Sequence, residues 1–218
     1  GNLTIATAGI KTLDAGNLSV AGNLSVAAGT FDLGITATTA SVTGTAAIAG
    51  TLSFNGTSTK TVTITGDLSG AGTIDMSGGS LLHILNLGGA NNAITTFTTA
   101  AVASEVNYNR AGAQQVFSSA NYRNLTASIS GIKTLTGGVL TVNNNLAITG
   151  TATLDLGTTA VTALVSGTAS IAGTLAFNGT STKTVTITGD LSGAGTIDMS
   201  GGSLLHILNL GGANNAIT

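Results

Sequence analysis

Glycines recur at a spacing of 22 residues through this chain, and that period restricts its fold more than any other feature. Gly22, Gly44 and Gly66 lie 22 apart, as do Gly50 and Gly72; Gly167 and Gly189, then Gly173 and Gly195, repeat the spacing. After the second glycine the sequence alternates. Phe31 and Leu33, Leu52 and Phe54, Ile74 and Met76 hold the apolar places, with Asp32, Ser53 and Asp75 between them. A period of two belongs to a strand with one buried face. Three short strands per coil suit either antiparallel hairpins or the coils of a solenoid. The fall of like on like favours the solenoid, in which each residue lies under its equivalent one coil on, apolar side chains stack inward and polar ones form outer ladders. Asn55-Gly56 and Asn178-Gly179, strong hairpin signals, keep an antiparallel meander or sandwich as the alternative.

A longer period encloses the short one. Gly44 to Thr95 (44-95) matches Gly167 to Thr218 (167-218) at an offset of 123, with two differences in 52 residues: Ala47 becomes Ser170 and Ser53 becomes Ala176. GIKTL at Gly9 to Leu13 answers GIKTL at Gly131 to Leu135. The expectation is an all-β chain, one continuous β-solenoid over residues 1-218, made of about 1.8 copies of a 123-residue repeat. About 22 residues per coil give about 10 coils, on the order of 50 Å at about 4.8 Å per strand. Segment 96-123 occurs once, breaks the rhythm and is expected to be an irregular coil. The second copy stops at Thr218 where the first runs on into Thr96, so the native molecule, or the next chain in a filament, is expected to continue the coil.

Composition narrows the function classes. Only 6% of residues are charged, against roughly a quarter in ordinary soluble domains. Disordered chains are charge-rich and poor in β-branched residues, the reverse of this one. Six basic residues and a net charge of −2 offer no footprint for nucleic acid or an anionic membrane. No cysteine is present, so no disulfide framework is expected. No apolar run reaches the roughly 18 residues of a membrane-spanning helix.

The run NYRNLTASISGIKTLTGGVLTVNNNLAITGTATLDLG (121-157) and the GDLSGAGTIDMSGGS segments resemble the coils of repetitive bacterial surface proteins: filamentous haemagglutinin-like adhesins and autotransporter passenger regions. The resemblance covers nearly the whole chain and is one of pattern, without a diagnostic motif. It implies a right-handed parallel β-helix in an exported, surface-attached or shed rod, and it carries over no catalytic residue. The expected function is therefore a structural extracellular rod, a repeating unit of a surface fibre, filament, sheath or adhesin stalk. Its partners would be copies of itself, end to end and side by side. Neither enzymatic activity nor a cofactor is expected. The contrasting reading is a carbohydrate-binding or carbohydrate-cleaving module acting on surface glycans.

Individual residues bear on these readings. Asp32 and Asp75 share an outward column around Ser53, about 10 Å apart, near the upper limit for an inverting glycosidase pair. Asp155 and Asp198 recreate it around Ala176, with no His, Arg or Lys reliably beside it, which points to a solvated face. His83 and its copy His206 lie in SLLHILNLGG; one His per repeat is too few for zinc. Counting back from Gly88 puts Leu85 and Leu87 outside. Either a bulge shifts that strand, or His83, Leu85, Leu87, His206, Leu208 and Leu210 form a ridge for self-association. Threonine pairs around Thr63 suggest ice binding, but the column is broken by Ser41 and Leu85. Asn2, Asn17, Asn23, Asn55, Asn124 and Asn178 head glycosylation triplets that the coil pattern also explains. Glu105, Tyr108, Arg110, Tyr122 and Arg123 supply the side-chain variety of the unique segment and are the candidate ligand contacts.

Overall fold

The computed structural model describes residues 1–14, 16–36, 38–79, 81–99, 104–159, 161–202 and 204–218. Its strands are parallel and stack as a β-solenoid of about 9 turns, against the 10 expected, with no helix among the described residues. Two compact units are present, Gly1–Asn107 and Tyr108–Thr218.

Unit 1 opens with β1 (Leu3–Ile5), β2 (Ile10–Thr12) and β3 (Leu18–Val20). The next turn is β4 (Leu24–Val26), β5 (Thr30–Asp32) and β6 (Thr39–Val42), and the third is β7 (Ala46–Ile48), β8 (Thr51–Ser53) and β9 (Thr61–Ile64). Then come β10 (Leu68–Ser69), β11 (Thr73–Met76), β12 (His83–Leu87) and β13 (Thr96–Thr99), while β14 (Ser104–Tyr108) spans the unit boundary. Three faces result: β1-β4-β7-β10, β2-β5-β8-β11-β13 and β3-β6-β9-β12.

Unit 2 continues with β15 (Gln114–Val116), β16 (Ser119–Tyr122) and β17 (Asn124–Ala127). Two further turns are β18 (Ser130–Leu135), β19 (Gly138–Val142), β20 (Leu146–Ile148) and β21 (Thr151–Asp155), β22 (Val161–Val165), β23 (Ala169–Ile171). The last strands are β24 (Thr174–Ala176), β25 (Lys183–Ile187), β26 (Leu191–Ser192), β27 (Thr196–Asp198) and β28 (Ile207–Leu210). Its faces are β17-β20-β23-β26, β15-β18-β21-β24-β27 and β16-β19-β22-β25-β28. Segment 96-123 holds four strands, β13, β14, β15 and β16, and its residues 100–103 lie outside the described ones.

Alternation dictates this arrangement. Phe31 pairs Leu52, Leu52 pairs Ile74 and Ile74 pairs Phe97, so one apolar column runs through unit 1, each member at most 5% exposed. Val20, Val42, Ile64 and Leu87 form a second column on the neighbouring face. Unit 2 repeats the scheme with Val142, Val165, Ile187 and Leu210. Burying one such side chain contributes about 1.5–3 kcal/mol. Each column also fixes register, because a one-residue slip would turn the whole apolar set outward.

The glycine period has a steric cause. The corners stack so closely that a Cβ on Gly66 would stand 2.5 Å from Gly44 O, and one on Gly72 would stand 2.1 Å from Gly50 O. Amide hydrogen bonds run up the same corner, from Gly44 N to Gly22 O at 2.9 Å and from Gly66 N to Gly44 O at 3.0 Å.

One register follows the first of its two alternatives, a shifted strand in place of an outward ridge. In β12, Ile84 pairs Thr61 and Leu87 pairs Ile64, a step of 23 residues where neighbouring steps are 22. The extra residue lies between Met76 and His83, since Ile74 still pairs Leu52. Gly89, not Gly88, therefore sits over Gly66. His83, Leu85 and Leu87 turn inward and are 0% exposed, so the outward ridge is corrected to a core strand in unit 1. Their equivalents His206, Leu208 and Leu210 keep the same phase, Leu208 over Val185 and Leu210 over Ile187, with Leu210 43% exposed on β28. Asn86, not Leu85, stands over Thr63.

Candidate functional site

The outward columns are joined coil to coil by their own polar atoms. Asp32, Ser53, Asp75 and Thr98 stack as one column, and Asp155, Ala176 and Asp198 as another, as the alternation requires. Asp75 accepts from Ser77 N at 2.9 Å and from Thr98 Oγ1, one coil on, at 2.8 Å. Burial pushes its carboxyl up, but the bonds from Ser77 and Thr98 outweigh this and leave it below the usual range. Two bonds from Ser200 likewise hold Asp198 low. A carboxylate stabilised in its charged form is a poor general acid.

Corner asparagines do the same for backbone donors. Asn2 Oδ1 accepts Asn23 N–H at 2.8 Å, and Asn23 Oδ1 accepts Thr45 N–H at 3.0 Å. Asp67 continues the pattern, taking Asn91 N–H and Nδ2–H at 3.0 and 2.9 Å. Unit 2 copies it: Asn124 accepts from Asn145, Asn145 from Thr168, and Asp190 from Asn214. The Asn214 bonds hold Asp190 below the usual carboxylate range. Asn107 Nδ2 bonds Asn86 Oδ1 at 3.2 Å and Asn86 Nδ2 bonds Thr63 Oγ1 at 3.3 Å, a side-chain ladder three coils tall.

His83 fastens a corner from inside. Its Nδ1 accepts Lys60 N–H at 3.2 Å, which leaves the proton on Nε2 to be donated to Gly78 O at 2.6 Å. The ring packs 5.9 Å from Phe54. Burial holds its pKa below the ordinary 6.5; the Gly78 bond opposes this and the Lys60 charge adds to it. His206 repeats the geometry with Lys183 and Gly201, beside Phe177.

Three lysines were not anticipated as interior residues, yet Lys60, Lys133 and Lys183 are at most 1% exposed. Their ammonium groups curl to backbone carbonyls: Lys133 to Arg110, Gly112 and Ser130, Lys60 to Ile35, and Lys183 to Thr159. Burial pulls Lys133 down to about 8, with Arg110 acting in the same direction. Burial also lowers Lys60 and Lys183, against the pull of Asp32 and Asp155. The signal was present in the alternation, where Lys60 shares the inward phase of Val62 and Ile64, and Lys133 that of Leu135.

The candidate ligand contacts divide between core and surface. Tyr108 and Tyr122 are 0% exposed and share a 2.7 Å hydroxyl–hydroxyl bond; Tyr122 also donates to Phe117 O at 2.7 Å, and Phe117 stacks on the Tyr122 ring at 5.4 Å. Burial pushes both phenols well above their ordinary value. Two of the five proposed contacts are therefore core residues, because an aromatic on an inward phase fills space that smaller residues of this chain cannot. Arg110 is exposed, Glu105 and Arg123 are half-buried, and Arg123 Nη1 donates to Asn143 O at 3.2 Å. Among the described residues no group of three or more His, Asp or Glu could hold a metal. Among the described residues no helix is long and apolar enough to cross a membrane.

No family model, curated protein or solved structure matches the chain.

Proposed function

We propose that the chain is a structural module, a repeating unit of an extracellular rod in a bacterial surface fibre, filament, sheath or adhesin stalk. One observation carries this reading: polar side chains on the outside and at the corners of the coils bond the next coil. Asn2, Asn23, Asp67, Asp75 and Asn86 do so in unit 1, and Asn124, Asn145 and Asp190 in unit 2. A rod needs many equivalent coils, whereas an active site needs one special place, and 52 residues recur here with two changes. Solenoid stability grows with each added coil and interface, so near-identical repeats suit a mechanical role. Copies of the same chain are the natural partners, since each coil presents the register that another coil pairs with.

Antibody against the chain, gold-labelled on intact producing cells, tests this reading. Label along surface filaments is the expected result, and label confined to the cell interior contradicts it. Glycan arrays test the contrasting reading, with Arg110→Ala and Arg123→Ala as the informative variants; the expected result is no binding that these variants abolish.

A further inference from the structure

Asparagine precedes glycine at two equivalent corners, Asn55-Gly56 and Asn178-Gly179. Both glycines are imposed by the stack. Gly56 has φ 114° and Gly179 φ 95°. A Cβ on Gly56 would stand 2.7 Å from Gly34 O and Ile35 Cα, and one on Gly179 would stand 2.6 Å from Thr158 Cα. The fold thus forces the least hindered kind of peptide nitrogen to follow an asparagine. At the first corner the side chain is also held against that nitrogen. Gly56 N–H donates to Asn55 Oδ1 at 2.9 Å, which keeps Cγ, the carbon bearing that oxygen, next to the nitrogen. Asn55 Nδ2 donates to Asp32 Oδ2 at 3.3 Å, which turns the amide nitrogen away from Gly56. Asn55 is exposed to water, whereas Asn178 is half-buried. Among the described residues Asn178 makes neither bond.

We propose that Asn55-Gly56 is a spontaneous modification site at which the Gly56 backbone nitrogen closes on Asn55 Cγ. The nitrogen gives its proton to solvent hydroxide and forms the N–Cγ bond. The Cγ–Nδ2 bond then breaks, and Nδ2 takes a proton from water and leaves as ammonia. The resulting five-membered succinimide is opened by a second water at either carbonyl, leaving aspartate or isoaspartate at position 55. Holding nucleophile and electrophile together removes part of the entropic barrier to closure. The product places a carboxylate where an amide had donated to Asp32, so like charges replace a hydrogen bond. Isoaspartate also lengthens the backbone at a corner stacked on Gly34 and Ile35.

The test is ageing of the full chain at mildly alkaline pH, with peptide mapping of the amide-to-acid mass gain and of isoaspartate over time. Conversion at Asn55 is expected to run several-fold faster than at Asn178, which lies in the same local sequence, and faster than at exposed Asn17. Ammonia release should fall correspondingly in Asn55→Gln. Conversion at Asn55 that is no faster than at Asn178 would overturn the proposal, and this comparison is internal to the wild-type chain and needs no variant to fold.

Discussion

Lys133 is enclosed in its unit and directs its ammonium at the carbonyls of Arg110, Gly112 and Ser130. Two effects oppose each other there. Removing the charge relieves its desolvation, but removing the donors strands carbonyls at about 1–3 kcal/mol for each one left unsatisfied. Ser130 O keeps a second donor, Gly112 N–H at 3.3 Å, while Arg110 O and Gly112 O lose the ammonium; the second effect wins, and Lys133→Met should lower stability by about 1–3 kcal/mol at neutral pH, read by urea unfolding. The pH dependence has a definite sign. A folded pKa of about 8, below the ordinary 10.5, means that the unfolded chain holds more protons between these values, so stability rises with pH through that window. Lys60 and Lys183 act in the same direction, and the alkaline gain should be smaller in Lys133→Met. His83 works at the other end. Its folded pKa lies below 6.5, so its contribution is fully present above 6.5 and drains away as pH falls towards the folded value. Unfolding at pH about 7.5 and about 5.5 should show a loss in wild type that His83→Gln reduces, the carboxylates acting only at lower pH.

At the scale of strands and corners, the glycine columns are the least tolerant feature. Gly72→Ala would place a methyl 2.1 Å from Gly50 O, with backbone rather than a flexible side chain in the way. Overpacking of this kind costs about 1–3 kcal/mol or more, and thermal unfolding should show it. Ser53→Ala is the matched control, since Ala176 already occupies the equivalent place, and it should fall within about 0.5 kcal/mol of wild type. Asn23→Ala should cost about 1 kcal/mol by leaving Thr45 N–H without its acceptor. The same features explain how far the sequence could be read. Gly44 over Gly22, Gly66 over Gly44 and Asp75 over Ser53 were legible because stacking demands a like residue at each step. The register of Leu85 and Leu87 was not, because one additional residue between Met76 and His83 moves β12 by a single position and reverses every side chain on it. The burial of Lys60, Lys133 and Lys183 was hidden by their charge, although a long apolar stem lets the amine reach a carbonyl while the stem fills the core. Tyr108 and Tyr122 misled for a related reason: each hydroxyl finds its partner inside, which residue type alone does not reveal.

For the molecule as a whole, the balance of forces differs from that of an ordinary enzyme. With 6% charged residues, few surface charges interact, so stability should change little between low and moderate salt. What accumulates instead is the coil-to-coil bond: parallel backbone pairing on three faces, an apolar column inside each, and asparagine or aspartate ladders at the corners. That scheme recurs in both units, which is why a structural rod is the reading advanced here. In such a rod coils stack along the axis of the native assembly, with every strand lying across that axis. Diffraction from oriented fibres of the native material tests it most directly. A strong reflection at about 4.8 Å along the fibre axis, from strand-to-strand spacing, is the expected result. The same reflection found only across the axis, with strands running along the fibre, would contradict it.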